Sequence, residues 1–248
     1  MTERKPIIPG EVIVKGDRYL PGEGTEKMGE NIIALRYGLA EEIKGLVKVI
    51  PLSGVYLPRR GNVVIGKVEN ISLNGWFVKI GTPENAFLPL SEVPGFVNKN
   101  ELEEVMEIGS TIIAKIKEVN KRGIDLTIKG RDLGRVEEGI VIKINPHKVP
   151  RIIGKEGSMI NLIKAETGYN ITVGQNGLIG ISSDKIENEL IAKKAIWFIV
   201  EKSHIEGLTN EIKKWFERET KVSTSSAKNV ERKSELSGEV VRKEKKNA

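Results

Sequence analysis

The 248-residue sequence has no cysteine. That excludes disulfide staples, thiolate metal sites and a cysteine nucleophile. Its two histidines, His147 and His204, lie far apart and have no carboxylate at ligand spacing, so a zinc site has no ligand set. No stretch of 18 consecutive apolar residues occurs, and Met1-Thr2-Glu3-Arg4-Lys5 lacks the apolar run of a signal peptide. The expectation is a cytoplasmic protein that makes no membrane contact. Catalytic constellations are missing as well. There is no Ser-His-Asp set and no phosphate-binding P-loop, and the carboxylates are scattered, whereas a two-metal nuclease needs them clustered. The chain therefore reads as a non-enzyme with no metal and no cofactor.

What is present is a soluble globular balance, 39% hydrophobic and 30% charged. Lys+Arg number 40 against 34 Asp+Glu, a formal charge of +6. Much of the excess is local: from Lys221 to Ala248, eight basic residues face four acids, which leaves a body of only +2. A polyanion must then be held by placed groups rather than bulk charge. The usage, rich in Ile, Lys and Glu and poor in Gln, resembles that of a thermophile. The length accommodates two or three domains of roughly 60–100 residues.

Residues 1–55 carry short β-branched runs (Ile7-Ile8, Val12-Ile13-Val14, Ile32 to Leu35, Leu46 to Ile50) between Gly and Pro punctuation, which predicts a small β domain. Residues 56–132 predict a five-stranded OB-type barrel with strands Val63–Ile71, Gly75–Ile80, Ala86–Leu90, Thr111–Val119 and Ile124–Lys129. Period-two alternation sets Trp76, Val78 and Ile80 against Phe77 and Lys79, and Ile112, Ala114 and Ile116 against Ile113, Lys115 and Lys117. Asn74-Gly75 and Lys121-Arg122-Gly123 supply hairpin turns. The connection through Pro94, Gly95 and Glu101 to Glu107 fits the crossover between strands three and four. Residues 133–220 switch to β-α-α-β-β-α: a strand Gly139–Ile144, helices Pro146–Ile153 and Ser158–Thr167, a hairpin across Gly174-Gln175-Asn176-Gly177, and a helix from Asp184 to about Lys202. Ser183 and Asp184 are candidate caps of that helix, and Glu206 to Thr220 is a further candidate helix. Residues 221–248, rich in Ser, Lys and Glu, are expected to be a disordered basic tail.

The sharpest motif is Arg151-Ile152-Ile153-Gly154-Lys155-Glu156-Gly157-Ser158. Its two glycines permit a tight turn and close approach of a sugar-phosphate strand. A helix beginning at Ser158 aims its free N–H groups at the same loop. Lys155 and Arg151 add cations, and Glu156 places an acid among them. This is the arrangement with which a GXXG loop clamps nucleotides in KH domains. The candidate contacts are Arg151, Ile153, Gly154, Lys155, Glu156, Gly157 and Ser158. Aspartate at both Gly154 and Gly157 is expected to weaken RNA binding and leave the fold intact. On the barrel, Phe77 and Phe87 with Lys67, Lys79, Lys115 and Lys117 form a second candidate surface for stacking single-stranded bases and neutralising phosphates. Trp76 reads as core. Gly22-Glu23-Gly24 with Gly29 neither closes a strand nor opens a helix, and reads as a turn rather than a dinucleotide site.

Taken together these stretches resemble a known family. Val49-Ile50-Pro51-Leu52-Ser53-Gly54-Val55-Tyr56-Leu57-Pro58 followed by Gly61 to Val68, the Pro9-Gly10-Glu11-Val12 and Gly22-Glu23-Gly24-Thr25 segments, and the GXXG loop are similar to the RNA-binding cap subunits of the archaeal exosome. The resemblance spans roughly Ile7 to Lys202. A related cap subunit with a zinc ribbon is excluded by the missing cysteines. The resemblance implies an N-terminal domain, an S1-type barrel and a type I KH domain, with Phe77 at the barrel's usual stacking aromatic. Many S1 domains have a histidine in the third strand, where this chain has Pro89. It further implies single-stranded RNA as ligand and three copies seated by their N-terminal domains on a hexameric ring of RNase PH-like subunits. The barrels would line a pore, and the ring would perform 3′-to-5′ phosphorolysis. Two other readings stand beside it. A transcription or translation factor also runs barrel then KH, often with a second KH domain. A polynucleotide phosphorylase places KH before the barrel and needs two large catalytic domains for which this chain has no room.

Overall fold

The computed structural model describes residues 4–95, 98, 101–136, 139–182, 186–203 and 207–219. The candidate caps Ser183 and Asp184, His204 and the basic tail lie outside these residues. No helix among the described residues is long and apolar enough to cross a membrane.

Turn residues divide the N-terminal domain into seven short strands: β1 (Lys5–Ile7), β2 (Val12–Lys15), β3 (Leu20–Pro21), β4 (Thr25–Met28), β5 (Asn31–Ala34), β6 (Gly38–Ile43) and β7 (Leu46–Pro51). They form two small sheets, ordered β1-β6-β7-β3 and β2-β5-β4. The apolar runs of the sequence became β1, β2, β5 and β7. Strands β3, β4 and β6 carry little apolar pattern and exist because a neighbour pairs with them, as β6 does along its whole length with β7. Two small clusters make the core, Ile7, Ala34, Ala40 and Val49 in one and Tyr19, Ile32 and Val47 in the other, with Ile13 packed against both. The Gly22-Glu23-Gly24 segment is a turn, tied down by the buried Thr25 hydroxyl at the Gly22 and Val47 carbonyls.

The second domain is a closed barrel of β8 (Val63–Ser72), β9 (Gly75–Lys79), β10 (Ala86–Pro89), β11 (Thr111–Asn120) and β12 (Gly123–Thr127). Antiparallel pairing runs β10-β9-β8-β11-β12, and a parallel contact between Phe87 and Asp125 closes the ring. The alternation expected from the sequence holds: Trp76, Val78, Ile80, Ile112, Ala114, Ile116 and Leu126 all point inward and are buried. A fully buried side chain of this size contributes about 1.5–3 kcal/mol. Trp76 is core, and its indole N–H donates to the Met106 carbonyl at 3.1 Å, securing the crossover that holds the short helix α1 (Leu102–Val105). A further strand, β13 (Gly134–Val136), pairs with β11. It falls among the residues that the sequence grouped with the KH domain, but its hydrogen bonds belong to the barrel sheet.

The third domain runs β14 (Ile140–Lys143), a 3-10 turn Pro146–Lys148, α2 (Val149–Ile153), α3 (Ser158–Thr167), β15 (Asn170–Val173), β16 (Leu178–Ser182) and α4 (Ile186–Glu201). A final helix, α5, occupies 208–219. The sheet order is β14-β16-β15, antiparallel throughout, which with the helix order is the type I KH topology. Ile152, Ile163, Ile179, Ala195 and Ile199 fill the core, and α5 adds Leu208, Ile212 and Phe216. The Lys148 ammonium donates to the Val200 carbonyl at 2.8 Å, a cation placed at the negative end of α4.

One side-chain amide joins barrel and KH domain. Strand β9 ends at Lys79, opposite Lys67, so the Ile65 backbone groups on that side of β8 have no strand partner. Asn176, buried in the β15–β16 turn, takes the vacant place. Its Oδ1 accepts from the Ile65 N–H at 3.3 Å, and its Nδ2 donates to the carbonyls of Ile65 at 2.7 Å and Ile80 at 2.8 Å. Beside it the Gln175 N–H donates to the Val63 carbonyl at 2.8 Å. Replacing Asn176 with alanine orphans these buried groups, each worth about 1–3 kcal/mol when left unpaired. Asn176→Ala is expected to lower the calorimetric unfolding midpoint and split barrel from KH unfolding. A single transition at the wild-type temperature would show that the amide does not couple the domains.

Candidate nucleic-acid interface

The α2–α3 loop owes its shape to three consecutive features. Gly154 ends α2 at φ +73°, a region where a side chain is strained. Glu156 sits in the left-handed region at φ 54°, ψ 28°. Gly157 follows at φ +79° and precedes α3 with no side-chain cap; the Ser158 N–H, first of that helix, donates to the Lys155 carbonyl, and the Gly157 N–H to the Gly154 carbonyl at 3.4 Å. Arg151, Lys155, Glu156 and Ser158 are exposed, Ile153 and Gly157 are half-buried, and Ile152 is buried beneath them. The loop thus presents two cations and one acid at the positive end of the α3 dipole. Such a surface can hold a phosphate by charge and helix dipole together.

The glycines are not equivalent. A Cβ on Gly154 would lie 2.7 Å from the Cβ of Met159 and 2.8 Å from its backbone nitrogen. Met159 is a core residue, so neither atom can move freely. A Cβ on Gly157 meets nothing nearer than the Asn161 side-chain nitrogen at 3.5 Å. The expectation that aspartate at both positions leaves the fold intact is therefore corrected for Gly154, where the side chain collides with the start of α3.

On the barrel the structure brings some of the expected residues together and separates others. Phe77 and Phe87 are register partners on β9 and β10, and their rings lie 5.2 Å apart at an interplanar angle of 49°. Phe77 is 37% exposed and Phe87 half-buried, so the pair offers one open ring supported by a second. Lys79 lies two residues along from Phe77 and pairs in register with Lys67 on β8. Lys115 is on β11, opposite Val63 and Thr127, two strands round the barrel from Phe77. Lys117 lies beyond Asp125, the residue that pairs with Phe87.

The charges are not equally available. Lys79 binds Glu69 at 3.1 Å, and Glu69 also accepts from Asn85, the largest of the influences holding its carboxyl below the usual range. Lys117 binds Glu92 at 2.7 Å. The Lys117 ammonium, with help from Thr127, lowers the Glu92 carboxyl, while Glu92 in turn raises Lys117. Among the described residues Lys67, Lys115, Arg151 and Lys155 make no ion pair. Asn85, Glu69 and Glu92, which set which lysines are free, carried no signal in the sequence, because their partners are remote in chain order. Asn176 was visible only as the Asn of an Asn-Gly turn.

Comparison with known proteins matches both modules. The model of the S1 RNA binding domain matches residues 57–129 and that of the KH domain residues 139–196. The chain is similar to the exosome complex component Rrp4 of Methanothermobacter thermautotrophicus, with 38% identity over 223 residues covering 90% of this chain and 71% of that one. Rrp4 of Pyrococcus furiosus is 40% identical over 219 residues, covering 86% and 83%. That of Nitrosopumilus maritimus is 36% identical over 220 residues, covering 87% and 97%. Among solved structures, "Crystal structure of putative exosome complex RNA-binding protein" superposes with a TM-score of 0.62 and 33% identity over 68% of this chain and 99% of that one.

Two measurements follow from the geometry. Gly157→Asp is expected to lose about 1–2 kcal/mol, the left-handed penalty alone. Gly154→Asp is expected to lose more, and equal losses in a denaturant titration would contradict the collision with Met159. Glu92 has a folded pKa below its ordinary 4.5, so the stabilisation from Lys117 is present above that value and disappears as pH falls through the folded pKa. Glu92→Gln is expected to be less stable than the parent at pH 7 and to match it in strong acid. A gap that persists in acid would place the effect elsewhere.

Proposed function

Since the chain belongs to the family of the exosome complex component Rrp4, we propose that it is a non-catalytic RNA-binding cap subunit of an archaeal exosome, capturing single-stranded RNA and threading it into a hexameric ring of RNase PH-like subunits, three copies to a complex. One observation carries the reading. The 223 matched residues exceed what residues 57–248 could supply, so the similarity to Rrp4 includes the N-terminal domain and not the RNA modules alone.

The division of labour follows from the surfaces. At the α2–α3 loop, the positive end of α3 with Lys155 and Arg151 holds sugar-phosphate. On the barrel, Phe77 backed by Phe87 offers a stacking platform that accepts any base, and Lys67 neutralises phosphate beside it. Lys79 and Lys117 enter only after exchanging a carboxylate for a phosphate. With four unpaired cations, Lys67, Lys115, Arg151 and Lys155, on the two surfaces, affinity is modest and falls with salt by roughly 0.7 log units per log unit for each phosphate neutralised on a single strand. Modest grip suits a subunit that must pass the strand on, and bond cleavage belongs to the ring.

The N-terminal domain supports docking on that ring. Leu20 and Leu46 are register partners, and Ile43 pairs with Leu46 across the β6–β7 turn. These three are 64%, 44% and 44% exposed, a contiguous apolar patch on a domain whose own core is small. Patches of this kind mark protein contacts.

Anisotropy titration of a labelled single-stranded RNA tests the reading. Phe77→Ala is expected to weaken binding by about 1–3 kcal/mol, the value of one stacked base, and Lys155→Glu to weaken it and flatten the salt dependence. Leu20→Asp with Leu46→Asp is expected to keep RNA affinity and lose co-elution with the ring subunits. RNA shortened by the purified chain alone, at a rate abolished by a point change within it, would overturn the non-catalytic assignment.

A further inference from the structure

The KH sheet has two unlike faces. Ile171 and Val173 on β15, opposite Ile181 and Ile179 on β16, turn toward the helices and join the core. Asn170 and Thr172, opposite Ser182 and Gly180, make the other face, and it is polar. That face meets the barrel: a Cβ on Gly180 would lie 3.5 Å from the Ile65 side chain. Beside this contact a cleft of about 430 Å3 stays open between the two domains. That size lies within the roughly 300–1,000 Å3 of small-ligand sites. The cleft lies across the sheet from α2 and α3, so it is separate from the glycine loop.

Its walls are polar and uncommitted. The KH domain lines it with Asn170, Thr172 and Ser182, and the barrel with Arg135, Asp132 and the apolar Ile113. Arg135 and Asn170 are exposed, Thr172 and Ser182 half-buried. Among the described residues, none of these four side chains has a hydrogen-bond or ion-pair partner. Asp132 is the one acid among the described lining residues, and Glu137 and Glu138, next along the chain, lie outside them.

A track on the barrel leads to this cleft. Lys79 on β9 opposes Lys67 on β8, Lys67 opposes Thr111 on β11, and Thr111 opposes Val136 on β13. Directly opposed residues share a face of a sheet. The four therefore form one row across the outside of the barrel, three strand spacings or about 14 Å long. Phe77 stands near its start, two residues from Lys79, and Val136 at its end lines the cleft. A strand stacked on Phe77 and drawn past Lys67 arrives at Arg135.

The chemistry waiting there is specific. A guanidinium fork suits phosphate oxygens. Hydroxyls beside it both donate and accept, as the ribose 2′-hydroxyl does, and that group is what separates RNA from DNA. We infer that the cleft holds one ribose-phosphate unit of RNA, with Arg135 on the phosphate and Thr172 and Ser182 on the 2′-hydroxyl. The inference rests on the reading of Phe77 as an RNA platform and goes beyond it. Stacking and charge accept either nucleic acid, whereas the back of the KH sheet selects the sugar.

The test titrates the full chain with a labelled single-stranded RNA of A and C only, and with the DNA of the same sequence, at several salt concentrations. The two ligands differ in the sugar alone. Wild type is expected to prefer RNA. Thr172→Val with Ser182→Ala is expected to lose about fivefold on RNA and to keep its DNA affinity. Arg135→Gln should weaken both ligands and reduce the salt slope by roughly 0.7 log units per log unit. Its thermal midpoint should match wild type, because the side chain is exposed and unpaired. Phe77→Ala should weaken both ligands and leave their ratio unchanged. A wild type without sugar preference, a preference that survives the Thr172 and Ser182 changes, or an unaltered salt slope in Arg135→Gln overturns the cleft. If Phe77→Ala alone has an effect, the platform stands and the cleft falls; if the cleft variants alone have one, the cleft stands and the platform falls.

Discussion

Everything the two RNA modules do together depends on one buried carboxamide. Strand β9 is too short to satisfy β8 along its length, and the exposed ladder edge at Ile65 would be a liability in any isolated barrel. Asn176 completes the ladder from a different domain, so the barrel is whole only when the KH domain is seated. The KH sheet in turn receives a rigid foundation for its β15–β16 turn. Neither module can reorient without orphaning backbone groups. A strand engaged at one surface therefore meets the other at a fixed separation, and the second contact becomes an intramolecular step with a high effective concentration.

The electrostatic design is one of restraint. Glu69 and Glu92 hold two of the barrel's outward lysines in pairs, and Glu156 sets an acid inside the α2–α3 loop. These acids lower the cost of placing lysines near one another when no RNA is present. They also make a phosphate contact at Lys79 or Lys117 an exchange rather than a pure gain. On the proposed reading, a chain of near-neutral body binds polyanion through rings as much as through charge, the balance expected of a guide rather than an anchor.

Much of this was legible in the sequence, for reasons that can be named. Barrel strands announce themselves because one face is core: Trp76, Val78 and Ile80 alternate with Phe77 and Lys79, and the structure buries the first set and exposes the second. The KH domain was legible because two glycines at fixed spacing fell between helical patterns. Strands β3, β4 and β6 were not, since pairing rather than side-chain pattern creates them. The neighbourhood of Phe77 was only half legible, because strand order round a barrel decides that Lys67 is near and Lys115 far, and alternation is silent on order. The collision at Gly154 and the role of Asn176 were invisible for a common reason: each depends on an atom contributed by a distant segment or a following helix, while the local motif looks like ordinary turn chemistry.

The dipeptide at the domain joint carries a chemical hazard. Asn followed by Gly is the pair most prone to spontaneous loss of its side-chain ammonia, and asparagine is counted among the thermolabile residues for this reason. The same pair occurs at Asn74-Gly75, on an exposed hairpin tip where Asn74 braces nothing with its side chain. At Asn176-Gly177 the outcome would be severe. The product aspartate has no N–H to give to Ile65 and Ile80, and would set a carboxylate against two carbonyl oxygens. Burial and a backbone held by the barrel keep the amide from the geometry this reaction needs, so the contact that joins the domains also protects the residue that makes it. Partial opening of the joint would expose that residue to irreversible ageing, so the same turn that fixes the domains is where a deamidation would undo them.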